Sequence, residues 1–335
     1  MPIALIVIFG IHYKNVITMR KTIWLIIFLS FQYSFSQNHI VLRTERNQDN
    51  SVDVFYSKDV PGSYCIYLNF KSYENTLTPE RKFVVDNFEG KLFTLRPINK
   101  EQNIQYSYNY TYKRGIPNPK LDSTFVYLLP FKNNCSVKVW YLTNLGSKYL
   151  HQEEPKNWKA FQFICNKTDT ICSARKGIVV SVVDDYSTDT TQLVSYSSSR
   201  NMILIEHKDG TYARYEGFDR EKIYVKPGDL VLPNQPLGGL SQYDKSGTYQ
   251  LRFSVDYLIE PKVDNSSDNS DKKRKIDYNY INPYFQTTDG LLRLAQSKKY
   301  TTQITEDVII KELSARELKK RHKSKYGVEV EALTR

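Results

Sequence analysis

The side chains that could bind a metal ion or transfer protons are few in this chain. Its histidines are His12, His39, His151, His207 and His322, and its cysteines are Cys65, Cys135, Cys165 and Cys172. A hydrolytic zinc site needs three protein ligands and an open position for water. The sequence contains neither an HxH nor a CxxC pair. The acids nearest the middle histidines are Glu153, Glu154, Asp184, Asp185 and Glu216. They show no ligand spacing typical of a metal centre, so we expect no cofactor.

The beginning of the chain has the pattern of an export signal. Residues 19–22 are basic, residues 23–31 are apolar, and Ser34 and Ser36 place small side chains before Gln37. This arrangement predicts a signal peptide over residues 1–36 that is cleaved after Ser36, with residues 1–18 as an upstream extension. An uncleaved membrane anchor is the alternative. We therefore expect the protein in the periplasm or on the cell surface.

The chain is basic, and export leaves most of that charge in place. Removal of residues 1–36 takes away Lys14, Arg20 and Lys21 and no acid, which lowers the formal net charge from +11 to +8. Positive charge suits an anionic envelope polymer or a membrane surface, although ordinary solvated surface charge explains it as well. No nucleic-acid-binding motif is present.

The four cysteines favour disulfides in an exported protein. Cys165 and Cys172 flank six residues that have the composition of a hairpin loop, which favours a Cys165–Cys172 bond. Cys65–Cys135 is the remaining pair. Buried free thiols are the alternative.

Period-two alternation and turn residues predict a mainly β protein with a C-terminal helix. Residues 37–130 contain short alternating strands about ten residues apart, which predicts a β-sandwich-like accessory domain. Residues 131–302 form a second strand-rich domain. Residues 303–335 form a basic helical tail, predicted to be one helix from Thr305 to about Lys323 that could contact a membrane surface.

Four ordered stretches of the second domain resemble the M23 (LytM-like) zinc metallopeptidase family. They are residues 172–179, 201–215, 225–238 and 251–255, with sequences CSARKGIV, NMILIEHKDGTYARY, VKPGDLVLPNQPLG and LRFSV. The resemblance extends over about residues 125–302. It implies an antiparallel β domain with a peptidase groove across its strands.

The same resemblance places the family's zinc ligands on residues that bind zinc poorly. The family aspartate falls on Gln162, the HxH pair on Gln250 and Arg252, and a further histidine on Gly217. A glutamine cannot act as a base at neutral pH, and arginine has no lone pair to donate and keeps its proton. His151 is the one remnant at about the family's distance from Gln162. This chain is thus similar to a degenerate M23 member that has lost most of its zinc ligands.

We therefore predict an exported, non-catalytic pseudo-metallopeptidase of the cell envelope. Gln162, Tyr215, Gln250 and Arg252 are expected to line the former groove and to bind a carboxylated peptide or a glycan. Peptidoglycan or a partner cell-wall hydrolase is the expected partner. Two alternatives remain: an active zinc endopeptidase with atypical ligands, and a structural envelope adaptor that acts through its sandwich and its basic tail.

Overall fold

A computed structural model describes residues 39–149, 154–155, 157–165, 170–187, 200–242, 248–260 and 278–321. These residues are mainly β structure with short helical segments, as the alternation predicts. The described residues from Leu42 onward belong to one compact unit. No helix in the described ranges is both long and apolar enough to cross a membrane. The predicted signal peptide and its cleavage site lie outside the described residues.

The first six strands form two three-stranded antiparallel sheets. The strands are β1 (Ile40–Arg46), β2 (Val52–Lys58), β3 (Tyr64–Glu74), β4 (Lys82–Val85), β5 (Glu89–Leu95) and β6 (Gln105–Arg114). Their orders are β1-β2-β5 and β4-β3-β6. Phe93 of β5 stacks on Phe83 of β4 with ring centroids 4.9 Å apart, and Phe70 of β3 meets it edge-on at 6.5 Å. The two sheets therefore pack face to face, in the manner of the predicted sandwich.

A nine-stranded sheet dominates the rest of the chain. Its strands are β8 (Ser136–Tyr141), β9 (Ala160–Cys165), β11 (Gly177–Val183), β12 (Met202–Glu206), β13 (Thr211–Glu216), β15 (Leu230–Val231), β17 (Tyr249–Leu258), β18 (Tyr278–Ile281) and β21 (Lys299–Thr301). The order is β15-β11-β12-β13-β17-β9-β8-β21, and β18 also pairs with β17. The predicted turn at residues 208–210 is confirmed: it joins β12 to β13, with Gly210 at a positive φ of 80°.

Two small sheets accompany the large one. β10 (Thr170–Cys172), β16 (Pro236–Leu240) and β14 (Phe218–Ile223) form one, in the order β10-β16-β14. β20 (Gly290–Leu292), β19 (Tyr284–Thr287) and β7 (Val126–Leu128) form the other, and β7 and β19 are parallel. The helix α1 (Leu145–Tyr149) follows β8, and α2 (Glu306–Ile310) follows β21.

One face of the large sheet is the core face. Leu251, Phe253 and Val255 alternate along β17, and all are buried. Phe161 and Phe163 of the neighbouring β9 lie on the same side and join the same apolar cluster. Because alternate strand residues point to opposite faces, the intervening polar residues of β17 and β9 lie on the other face. That second face holds the candidate site.

The predicted single C-terminal helix is wrong. The structure has α2, then a turn, then a second helical segment, α3, that is described from 315 to 321. Ser314 and Glu317 explain the break: the Glu317 carboxylate accepts from the Ser314 backbone N–H at 2.7 Å, and the Ser314 hydroxyl accepts from the Glu317 backbone N–H at 3.3 Å. This reciprocal capping box begins a new helix inside the predicted one. Thr305, the expected cap, makes no side-chain capping bond.

The predicted disulfides are also absent, and all four cysteines, which fall in described residues, are buried thiols. Cys165 lies opposite Tyr249 in the large sheet, whereas Cys172 belongs to the small sheet with β16. The Cys172 thiol donates to the Thr170 carbonyl oxygen at 3.8 Å. Cys65 lies inside the β4-β3-β6 sheet, and Cys135 precedes β8. All four are thus buried thiols outside any disulfide, as in the alternative of buried thiols, and Cys135 and Cys165 belong to the same apolar cluster.

Candidate functional site

Three adjacent strands bring the predicted site residues into one row. In the register of β13, β17 and β9, Arg252 lies opposite Glu216 on one side and opposite Gln162 on the other. Side chains of directly opposed residues share a sheet face. Gln250, two residues before Arg252, lies on that face too. The row spans the polar side of the sheet, away from the aromatic core.

Gln162 and Gln250 contact each other directly. The Gln162 side-chain amide donates a hydrogen bond to the Gln250 side-chain oxygen. The structure thus brings these two residues together beside Arg252. The groups in the row are two neutral amides, a guanidinium and the Glu216 carboxylate. They can donate and accept hydrogen bonds and attract an anion, but the amides cannot exchange protons at neutral pH.

Tyr215 is a correction to the predicted groove. Its side chain is fully buried, and its hydroxyl accepts a hydrogen bond from the Ala174 backbone N–H at 2.9 Å. Its ring meets Phe253 edge-on, with centroids 5.1 Å apart. Tyr215 lies between Arg214 and Glu216, so strand alternation turns it to the core face. Burial raises the pKa of its hydroxyl.

Gly217 lies beside the row and has a steric role. Its φ is +126°, and a Cβ added there would lie 2.4 Å from the backbone oxygen of Gln250. Real Cβ atoms do not approach an oxygen so closely, so the close approach of these strands requires glycine. A histidine at this position would need the backbone to move. His151, the predicted remnant, lies outside the described residues.

A cleft of about 690 Å³ opens on this face, and we call it cleft 1. Arg214, Glu216 and Arg252 line it from the sheet. Tyr141, Trp158 and Tyr280 line it with aromatic rings. The Trp158 indole N–H donates to the Leu142 carbonyl oxygen at 2.7 Å, which fixes the indole. Cleft 1 therefore combines two guanidinium groups, one carboxylate and three aromatic side chains.

Asp256 lies on the same face of β17, two residues beyond Ser254, opposite Tyr280 of β18. Its side chain is 3% exposed, and burial raises the pKa of its carboxyl to about 6, although Arg214 opposes the shift. Burial, and then the charge of Asp256, raise the pKa of the Tyr280 hydroxyl. Burial thus disfavours the charged form of the Asp256 carboxyl, and the nearby positive charge of Arg214 favours it.

Sequence reasoning missed Arg214, Trp158, Tyr280 and Asp256. Arg214 had a usable signal, because it precedes Glu216 by two residues on a predicted strand and so shares its face. Asp256 likewise shares the period of Gln250 and Arg252. Trp158 and Tyr280 had no such signal, since only the placement of β18 against β17 brings them together, with ring centroids 4.5 Å apart.

The donor set of this row does not fit a zinc ion. A neutral amide is a poor zinc ligand, and the cationic Arg252 repels a metal. Elsewhere in the described ranges, no group of three or more His, Cys, Asp or Glu side chains is placed to hold a metal ion. No reaction step is therefore assigned to a metal at this site.

Several solved structures are similar to parts of this chain. A chain of a structure described as the SpoIIQ–SpoIIIAH pore forming complex is 18% identical with a TM-score of 0.27, and the match covers 39% of this chain and 84% of that one. A second structure, described as the SpoIIIAH and SpoIIQ complex, gives 19% identity, a TM-score of 0.26, and 38% and 90% coverage. The third is described as a "putative peptidase M23" from Pseudomonas aeruginosa, with 12% identity, a TM-score of 0.24, and 59% and 90% coverage.

No family model matches the chain, and no curated protein matches it either. The chain is thus similar, over part of its length and at low identity, to an M23-type structure and to chains of the SpoIIQ–SpoIIIAH complex.

Proposed function

We propose that this protein is an exported, non-catalytic M23-like protein of the cell envelope that binds peptidoglycan through cleft 1. The observation that carries the proposal is Arg252, which lines cleft 1 and lies opposite Gln162 in the sheet. The Gln162 amide donates to the Gln250 side-chain oxygen beside it, and neither glutamine lines the cleft itself. At the positions where the resemblance places a zinc ligand and a base, the protein has an amide pair and a cation. These groups bind carboxylates and amides and provide no metal-activated water.

The electrostatics of cleft 1 support an anionic ligand. Arg252 lies opposite Glu216 across the strands, and Arg214 lies two residues before Glu216 on β13. The charged groups that line the cleft from the sheet therefore sum to one positive charge. Guanidinium groups pair well with carboxylates, and the rings of Tyr141, Trp158 and Tyr280 suit the apolar faces of sugars or peptides. Peptidoglycan offers both carboxylates and sugars. Regulation of a partner cell-wall hydrolase is the alternative non-catalytic role for the protein.

The test is co-sedimentation of the purified chain with peptidoglycan sacculi. Arg252→Gln and Arg214→Gln are expected to weaken binding about tenfold, because each removes a charge-assisted contact. Arg316→Gln, at an exposed arginine of α3, is the matched control and is expected to bind as the wild type does. Failure of the wild type to sediment contradicts the proposal. So does chelator-sensitive release of soluble fragments from the sacculi, which would support an active endopeptidase.

A further inference from the structure

A second cleft, of about 430 Å³, lies next to the first, and we call it cleft 2. Trp158 and Tyr280 line both clefts, so this edge-on aromatic pair is the wall between them. The other residues that line cleft 2 do not line cleft 1. Neither the resemblance nor the comparisons assign this cleft a role.

Cleft 2 is cationic. Lys159 and Arg293 line it, and among its described lining residues there is no aspartate or glutamate. The Arg293 guanidinium lies 4.6 Å from the centroid of the Tyr284 ring, and the Lys159 ammonium lies 3.7 Å from that of Tyr141. Cation–π contacts of this kind hold the two charges in position without neutralising them. Neither ring lines cleft 2, and the two long side chains that do line it can turn their charges toward an incoming anion.

Asn282 supplies a second, independent feature. It lines cleft 2, and its side-chain oxygen is buried with no hydrogen-bond partner among the described atoms. A buried acceptor that lacks a partner is unfavourable, and such groups are rare unless a ligand or water satisfies them. Because the oxygen has almost no accessible surface, an N–H donor of a bound molecule would satisfy it once the Asn282 side chain rotates toward the cleft. The aromatic rings of Trp158, Tyr257 and Tyr280 add apolar surface beside it.

We propose that cleft 2 binds the C-terminal end of a peptide, with its free carboxylate on Lys159 and Arg293 and its last amide N–H on the Asn282 side-chain oxygen. A peptide end has both groups a few bonds apart, whereas an inorganic anion lacks the N–H donor and a peptide amide lacks the charge. The apolar side chain of the last residue lies against the aromatic wall. The proposal goes beyond cleft 1 and does not depend on peptidoglycan as the ligand.

Calorimetric titration of the full chain with N-acetyl-alanyl-alanine tests the proposal. The C-terminal amide of the same dipeptide, which lacks the carboxylate, is the first control, and acetate, which lacks the N–H group, is the second. We expect the acid to bind and both controls to bind at least about tenfold more weakly. Equal binding of the acid and its amide, or no binding of the acid at millimolar concentrations, overturns the proposal.

Variants locate the site. Arg293→Gln and Asn282→Ala are expected to weaken binding of the acid about tenfold each, and Arg293→Lys to restore part of it. Arg316→Gln is expected to leave it unchanged. Arg293 is exposed, so its substitution leaves the fold intact, which thermal unfolding verifies. If dipeptide binding is lost in Arg252→Gln but retained in Arg293→Gln, the dipeptide binds in cleft 1 and the proposal for cleft 2 is overturned. A failure to bind sacculi, with dipeptide binding retained, contradicts only the proposed function.

Discussion

Arg175 and Glu312 form a two-point ion pair that joins the sheet domain to the C-terminal segment. The Arg175 Nε and Nη2 atoms lie 2.9 and 2.6 Å from the two carboxylate oxygens of Glu312. The third nitrogen of Arg175 lies 2.8 Å from Asp209, and its guanidinium lies 3.7 Å above the Phe125 ring. Arg175 is 3% exposed. Its charge is therefore compensated by partners rather than by water.

The first prediction concerns this pair. Glu312→Ala leaves the buried guanidinium with Asp209 as its one ionic partner among the described residues. Removal of one member of a buried pair costs about 3 kcal/mol. We expect the free energy of unfolding in urea to fall by about that amount. The matched control is Glu306→Ala, which breaks the more exposed pair with Arg321 and is expected to cost about 1 kcal/mol or less. Equal effects of the two substitutions contradict the prediction.

A second prediction follows from the buried carboxyl of Asp256. Burial raises its pKa from 3.8 to about 6, so between these values the folded protein binds a proton that the unfolded chain releases. The contribution of Asp256 to stability is therefore greatest at low pH and falls as the pH rises to about 6. Asp256→Asn removes this dependence. We expect the variant to gain about 2–3 kcal/mol relative to the wild type between pH 4 and pH 8.

Urea unfolding of both proteins at the two pH values measures this difference. The subtraction cancels the contributions of other acids, including Glu317, whose bond with Lys176 lowers its pKa to about 2. A stability difference that is the same at both pH values would falsify the assignment of a raised pKa to Asp256.

The third prediction separates backbone strain from a steric clash. Gly217 and Gly228 both have positive φ, +126° and +96°. A Cβ at Gly217 would lie 2.4 Å from the Gln250 oxygen, whereas a Cβ at Gly228 would meet nothing within 4 Å. Alanine at either site costs about 1 kcal/mol or more for the left-handed conformation. Gly217→Ala must also displace β17.

Thermal unfolding of the two alanine variants provides the comparison. We expect Gly217→Ala to lose at least about 1 kcal/mol more than Gly228→Ala. Sacculus binding is expected to weaken only in Gly217→Ala, because Gln250 and Arg252 lie on the displaced strand. Similar losses in both variants would show that β17 accommodates a side chain at this point.

The fourth prediction concerns the cysteines. All four thiols are buried, and burial raises the pKa of the Cys65 thiol, which lowers its thiolate fraction. A thiol-specific reagent is expected to label none of them in the native protein within minutes. In denaturant without reductant, it is expected to label all four. Fewer labelled cysteines in the denatured sample than in a reduced control would reveal disulfides and restore the pairing predicted from the sequence.

Local sequence patterns predicted the strands well. They failed at the C-terminal helix, where a helix-capping pattern lies inside a stretch of helix-favouring composition. Residues 202–207 and 211–215 have the apolar or alternating patterns of strands. The turn between them has glycine at its positive-φ position, so the hairpin could be predicted without a structure. The C-terminal helix was predicted as one piece because its composition favours helix throughout. In the structure, the capping box formed by Ser314 and Glu317 begins a separate helix. The two residues of this capping box are visible in the sequence.

The candidate site divides in the same way. Period-two alternation was enough to place Gln250 and Arg252 on one face, and the same rule would have excluded Tyr215, which lies between two residues of the polar face. The contact between Gln162 and Gln250 depends instead on the register of β9 against β17. Register is a non-local property, because it is set by how whole strands pack on the core.

The sequence by itself determined the β-rich class of this protein, the hairpin at Gly210, the amide and guanidinium groups of Gln162, Gln250 and Arg252, and the net positive charge. Those features depend on residue type and short spacing. Only the tertiary structure decided that Trp158 and Tyr280 meet between two clefts, that Asp256 is buried beside Arg214, and that the cysteines are buried thiols. These relationships join residues distant in the chain, and strand pairing and core packing bring them together.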